Sequence, residues 1–211
     1  AGKDLLFTCL SSGISSTINN AFICREEMQE KYPDAEICVF DSICASGGHG
    51  LLIYHAIENK KKGMSAKENM RALEELKHHI VHKFTVDDLT YLQRGGRISK
   101  TAAVIGGMIQ LKPVLHVDTE GRLAAESKVR GRKKALNQLL TEMDTCTGSY
   151  ADKQDAVLIC HADCPEDAEF VRAKVEEKYH PNKIIMSEVG PIIGAHVGPG
   201  TMVLIFEGDK R

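Results

Sequence analysis

Short apolar runs separated by helix-length segments restrict this chain to an α/β architecture. Leu5-Leu6-Phe7-Thr8-Cys9-Leu10 and Ile37-Cys38-Val39-Phe40 each read as a short buried strand. Between them, Ile18, Ala21, Phe22 and Met28 lie on or near one helical face, which predicts a helix reaching about Tyr32. A second helix starts at about Gly48 and stops at Lys60-Lys61-Lys62-Gly63, with cations in its last turn and a glycine after them. Ser65-Ala66-Lys67-Glu68 is a capping box, and the helix it opens is expected to reach about Val81. Strand–helix–strand–helix is the grammar of a parallel sheet with helices on its faces.

The grammar changes from Phe84. Two helical stretches, 87–94 and 98–109, follow each other. Pro113 to Val117 and Leu123 to Val129 then predict a hairpin around Thr119-Glu120-Gly121. A helix from Lys133 to about Met143, a strand from Ala156 to Cys160 and a helix from Pro165 to Tyr179 come next. Two strands, Ile184-Ile185-Met186 and Met202 to Phe206, close the pattern. The expected organisation is α/β throughout: residues 1–83 as the remainder of an N-terminal parallel α/β domain, and residues 84–211 as a C-terminal α/β domain with a mixed sheet. Two strands make a thin sheet for a free-standing domain, so the first part reads as incomplete.

Composition narrows the function. The 211 residues carry a formal net charge of −2, so nothing global draws the chain to nucleic acid or an anionic membrane. Trp is absent and aromatics are 5%, which leaves little for base stacking. No apolar run is long enough to span a membrane, and Ala1-Gly2-Lys3-Asp4-Leu5 lacks a signal-peptide core; a soluble cytoplasmic protein is expected. The seven cysteines are scattered and odd in number, as expected of reduced, buried thiols. Cys160-His161-x-x-Cys164 lacks a second ligand pair for zinc. His78, His79 and His82 are expected as solvated histidines on one helix, although His78 and His82 have metal-ligand spacing. No metal, cofactor or phosphate loop is expected.

Gly190-Pro191-Ile192-Ile193-Gly194-Ala195-His196-Val197-Gly198-Pro199-Gly200 lies between the last two apolar runs. Glycine admits close backbone approach and proline stiffens the rest, so the loop holds a shape around His196. His196 is its one side chain able to bond or titrate near neutral pH. Ser11-Ser12-Gly13 joins a strand to a helix start. It reads either as an N-cap or as an anion site built from free N–H groups and two hydroxyls. Arg94-Gly95-Gly96-Arg97 reads either as a solvated helix break or as a guanidinium site for carboxylate or phosphate. Lys128, Arg130, Arg132, Lys133 and Lys134 run into a helix N-terminus against its dipole, which suggests a compensating anion or an ordinary solvated face.

Phe84-Thr85-Val86-Asp87-Asp88-Leu89, Leu92-Gln93-Arg94-Gly95-Gly96-Arg97-Ile98-Ser99, Lys112-Pro113, Lys128 to Ala135 and Gly198-Pro199-Gly200 together resemble the DegV family in order and approximate spacing. Leu10 to Ser15 and Phe40-Asp41-Ser42 also match, so the resemblance covers essentially the whole chain. It implies an EDD-like fold and a bacterial fatty-acid binder, of the kind that serves as the acyl-carrying FakB subunit of a two-component fatty acid kinase. A C16–C18 acid would lie in a buried apolar tunnel between the two parts. Ile14, Ile98, Ala102, Ile105, Met108, Ile109, Ile192 and Ile193 are candidates for its lining. The carboxylate would meet Ser11, Ser12 and Gly13, with Arg94 preferred over Arg97 and with Gly194, His196 and Gly198 completing the site. His196 and Arg94 would assist an ATP-binding kinase partner, for which Arg130, Arg132 and Lys133 are candidate docking residues. The chain itself would not be an enzyme.

Two departures from the family pattern matter. Ala195 and Val197 stand where the family's loop carries threonines, so two hydroxyls are lost. The resemblance also implies a strand–helix segment ahead of Lys3, with an acidic Asp-Ser motif and a Thr-Ser pair, so the chain is expected to resemble a family member without that segment. Two rival functions are an autonomous small-molecule kinase-like enzyme and a regulatory interaction module that binds no lipid.

Overall fold

The computed structural model describes residues 3–99 and 111–211. Strands β1 (Leu5–Cys9) and β2 (Ile37–Asp41) pair in parallel as a two-stranded sheet, with helix α1 (Thr17–Lys31) as the crossover. Cys9, Ile18 and Val39 form the small core between that sheet and α1. Leu5, Phe7, Met28 and Tyr32 remain exposed.

The larger sheet is six-stranded and mixed, in the order β5-β4-β3-β8-β6-β7. Its strands are β3 (Ile80–Thr85), β4 (Leu111–Val117), β5 (Leu123–Arg130), β6 (Val157–His161), β7 (Ile184–Glu188) and β8 (Met202–Glu207). Two-residue alternation assigns each strand to two cores. Ile80 and Phe84, Leu158 and Cys160, and Val203 and Ile205 face helix α2 (Ser46–Lys61), whose Leu51 and Leu52 are fully buried. Val81, Val157 and Ile159, and Met202, Leu204 and Phe206 face helices α5 (Arg132–Cys146) and α6 (Pro165–Tyr179). Helix α3 (Ala66–Leu76) packs against the small sheet and opens with the expected capping box, in which Ser65 Oγ accepts from Glu68 N.

Three expectations need correction. The helix after Ser65 does not reach Val81: it ends at Leu76, Lys77–His79 is a 3₁₀ turn, and β3 begins at Ile80. The division at 83/84 therefore falls inside a strand that pairs with β8 along its length. His82 is not solvated; it is 1% exposed, while His78 is exposed and His79 Nδ1 lies 3.1 Å from the Gly208 carbonyl oxygen. The glycine–proline segment is not only a loop, because Pro191–Val197 form helix α7, with Pro191 in its first turn where no N–H is needed. Helix α4 (Thr90–Arg94) agrees with the first predicted helical stretch of the second half. Most of the second, 98–109, lies outside the described residues, as do Ala102, Ile105, Met108 and Ile109.

Lys83 alternates onto the α5 side, where it is 1% exposed. Val114 pairs with Ser127 and Leu115 with Ala125, so Glu126 is the extra residue of a bulge in β5. That bulge accompanies a close approach of both Glu126 carboxylate oxygens to Lys83 Nζ, at 2.9 and 2.8 Å, with Glu142 at 3.8 Å. Lys83→Met leaves the carboxylates without their cation. With Glu126 partly exposed, the expected loss is about 2–3 kcal/mol, or a thermal midpoint lower by roughly 5–10 °C. A thermal melt of the variant within about 2 °C of wild type would show the pair to be dispensable.

Candidate functional site

A half-open cavity of about 150 Å³ lies between the α2 face of the large sheet, the 11–15 and 45–46 segments, and helices α4 and α7. Its lining is mostly apolar: Leu10, Ile14, Phe84, Leu92, Val117, Leu123, Val189, Ile192, Ile193, Val197 and Val203. Polar groups come from Ser15, Ser46, His82, Arg97, His196 and Thr201. This is the make-up of a small-molecule site, apolar walls with a few placed polar groups. Thr201 spends its hydroxyl inside the protein, near the Val197 and Gly198 carbonyls at 3.1 and 2.9 Å.

The strands set the order of these groups along the cavity. Thr85 pairs with Met202 at the end of the sheet nearest α4 and α7, and His82 pairs with Ile205. His82 thus lies three residues, about 10 Å, farther along β3. Its Nε2 lies 3.3 Å from Ala45 N and 3.2 Å from Ala45 O. Burial, with Arg211's positive charge as the second cause, holds His82 down at about 3, so the ring is neutral.

Arg97 reaches the cavity because of how α4 ends. Arg97 N donates to Leu92 O (3.0 Å) and Gly96 N to Gln93 O (3.0 Å), the two bonds of a Schellman motif. Gly96 occupies the left-handed position with φ 71°. The chain is turned back, and Arg97 Nε donates to Ile14 O (3.2 Å) and Nη1 to Gly95 O (2.5 Å). Arg94, still on α4, is exposed and is not among the cavity-lining residues. Arg97 rather than Arg94 therefore lines the cavity together with His196.

The serine motif has a structural duty. Ser11 is fully buried; its Oγ donates to Gly121 O (2.8 Å) at the tip of the β4–β5 hairpin and accepts from Gly13 N (3.0 Å). A Cβ on Gly13 would lie 2.8 Å from the Glu120 and Gly121 backbone. Ser12 is exposed, and its N–H donates to Asp41 Oδ1 (3.1 Å), which also accepts from Ile43 N (3.0 Å). The motif is not a helix N-terminus, because α1 starts at Thr17. Ser12, Gly13 and Ser15 instead line an open groove shared with Arg97. Asp41, which ties the two loops together, was visible only as part of Phe40-Asp41-Ser42.

Of the predicted lining, Ile14, Ile192 and Ile193 face the cavity, and Ile98 is buried in the adjoining core. Gly194 is inside α7, and Gly198, with φ 76°, packs on Tyr91. Arg132 meets its compensating anions within the chain: Asp167 at 2.6 Å and Asp87 at 3.4 Å, the latter shared with Lys112 at 2.7 Å. Arg130 and Lys133 are exposed. Among the described residues no group of three or more side chains could hold a metal, and burial pushes the Cys164 thiol up. Among the same residues no helix is long and apolar enough to cross a membrane.

Fold and cavity together define an α/β protein with a mainly apolar cavity that Arg97, His82 and His196 also line. The family model described as uncharacterised protein, DegV family, matches residues 1–209. A DegV domain-containing protein of Clostridium perfringens, CPE0026, is 42% identical over 210 residues, covering 100% of this chain and 72% of that one. The chain belongs to the DegV family. A Thermotoga maritima structure, TM841, described as revealing a fatty acid binding function, superposes with a TM-score of 0.82 at 28% identity, covering 98% of this chain and 69% of that one. A stearic acid-binding protein from Eubacterium ventriosum superposes with a TM-score of 0.81 at 25% identity, covering 97% and 70%. The Streptococcus pneumoniae fatty acid kinase B3 protein, loaded with linoleic acid, shares the fold with a TM-score of 0.89 at 20% identity, covering 98% and 72%.

Proposed function

We propose that this chain binds a long-chain fatty acid, of C16–C18 length, with part of its hydrocarbon in the apolar cavity and its carboxylate near Arg97 and His196. The observation that carries this reading is the cavity itself, whose mainly apolar walls carry one cation, Arg97, and two imidazoles, His82 and His196. Residues from both sides of the proposed 83/84 division line it. The family's fatty-acid-binding members support the ligand class. Ser12 and Gly13, on the neighbouring groove, are proposed to contribute to the head-group environment, while Ser11 holds their loop.

The second step of the proposal is that a kinase partner phosphorylates the bound carboxylate, with this chain as carrier. It rests on the shared fold with a fatty acid kinase B3 protein. Exposed Arg130 and Lys133 are candidate partner contacts; Arg132, held by Asp167 and Asp87, is better suited to organising that surface.

Denaturing the purified protein, extracting it with organic solvent and analysing the extract by mass spectrometry tests the first step. Near-stoichiometric C16–C18 acid is the expected result. An empty extract, together with no uptake of added palmitate or oleate, would sink the lipid reading. Acyl phosphate formed by the chain with ATP alone would instead favour an autonomous enzyme.

A further inference from the structure

Arg94-Gly95-Gly96-Arg97 contains two glycines, but the end of α4 needs only one. Gly96 has φ 71° and supplies the left-handed residue of the Schellman motif. Gly95 has ordinary right-handed geometry, φ −71° and ψ −9°, which alanine adopts without strain. Backbone conformation therefore does not explain Gly95.

Its surroundings do. A Cβ placed on Gly95 would lie 2.1 Å from His196 Nδ1, 2.9 Å from Cε1 and 3.2 Å from Cγ. The imidazole thus lies against the Gly95 backbone, in the space a side chain would take. One turn away the relation is reversed: a Cβ on Gly198 would lie 2.5 Å from the Tyr91 ring. Helices α4 and α7 are keyed together by two such pairs, each placing a ring against a glycine. No side-chain hydrogen bond joins the His196 imidazole to another described residue, and the Gly95 backbone is what its ring packs against.

We propose that Gly95 is the positioning residue for His196, setting the direction in which the imidazole meets the ligand's carboxylate. The inference deepens the fatty-acid reading and rests on it for the ligand, but not for the geometry. Gly95→Ala keeps the Gly95 carbonyl that accepts from Arg97, so the Arg97 contact is not removed with the side-chain change. Alanine is also a better helix former than glycine. The expected variant folds as well as wild type, yet binds oleate about tenfold more weakly because its imidazole is displaced.

The test is a double-mutant cycle on delipidated protein, using oleate binding, thermal melts and NMR of the imidazole. Gly95→Ala should weaken binding tenfold, shift the His196 ring resonances in ligand-free protein, and add nothing once His196→Ala is present. If Gly95→Ala fails to fold because the ring cannot move aside, the double variant should fold again. The proposal is overturned if Gly95→Ala binds within twofold of wild type, if it weakens binding equally in the His196→Ala background, or if the ring resonances do not move. Absence of oleate binding by wild type would count against the lipid reading alone, since the resonance shift is read without ligand.

Discussion

Arg97→Ala is expected to retain less than about a tenth of the fatty acid that wild type holds, whereas Arg94→Ala should bind within about twofold of wild type. A hydrogen bond to a charged partner is worth about 1.5–3 kcal/mol net, and 1.4 kcal/mol is a factor of ten in affinity. Arg97 also ties Ile14 to the end of α4, so its loss loosens the cavity rim as well as removing the cation. Arg97→Lys keeps the charge but not the forked geometry and should fall between the two. Displacement of a fluorescent fatty acid from delipidated protein measures all three. Greater damage from Arg94→Ala would refute the assignment of the cation.

The second large effect is on acid stability. His82 titrates at about 3 in the folded protein against 6.5 for an ordinary histidine, first because it is buried and then because Arg211 is near. Between those values the unfolded chain binds a proton that the folded chain does not. Stability is therefore lost as pH falls from 6.5 towards 3, by up to about 1.4 kcal/mol per pH unit. His82→Gln keeps a polar group of similar reach facing the Ala45 peptide and removes the titration. Urea unfolding at pH 7, 5.5 and 4 should show a shallower decline for the variant, whatever its offset at pH 7. Parallel declines for the two proteins would show that His82 does not govern the acid limb.

Local signals in the sequence specify structure where the physics is local. The Ser65 capping box, the hairpin around Thr119-Glu120-Gly121 and the cation-and-glycine stop after Lys60 all depend on residues within a few positions of one another. The failures come from long-range partners. Strand β3 was masked because His82 and Lys83 interrupt its apolar pattern; both are buried, Lys83 answered by Glu126 from a bulge 43 residues away and His82 by the Ala45 peptide. Helix α7 was hidden by glycine and proline, whose low propensity is overridden by its packing on α4. Arg94 and Arg97 are equivalent as letters; the Schellman turn separates them, and it shows only in the hydrogen bonds. Ser11 matched a ligand motif, yet its partner, Gly121, is 110 residues distant.

The bond between Ser11 and Gly121 also bears on protein engineering. Exposed hairpin tips are ordinarily where a chain accepts an inserted tag or a permuted terminus at little cost. The tip at 118–122 is a poor choice here. Gly121 is buried, and a Cβ on it would fall 2.0 Å from Ser11 Oγ and 3.1 Å from Ile43 Cα. Lengthening this turn would pull away the support under the 11–15 loop, and with it one wall of the cavity. A fluorophore or affinity handle belongs instead on a surface remote from that contact, such as the solvent-facing side of α6 around Lys174 and Glu177.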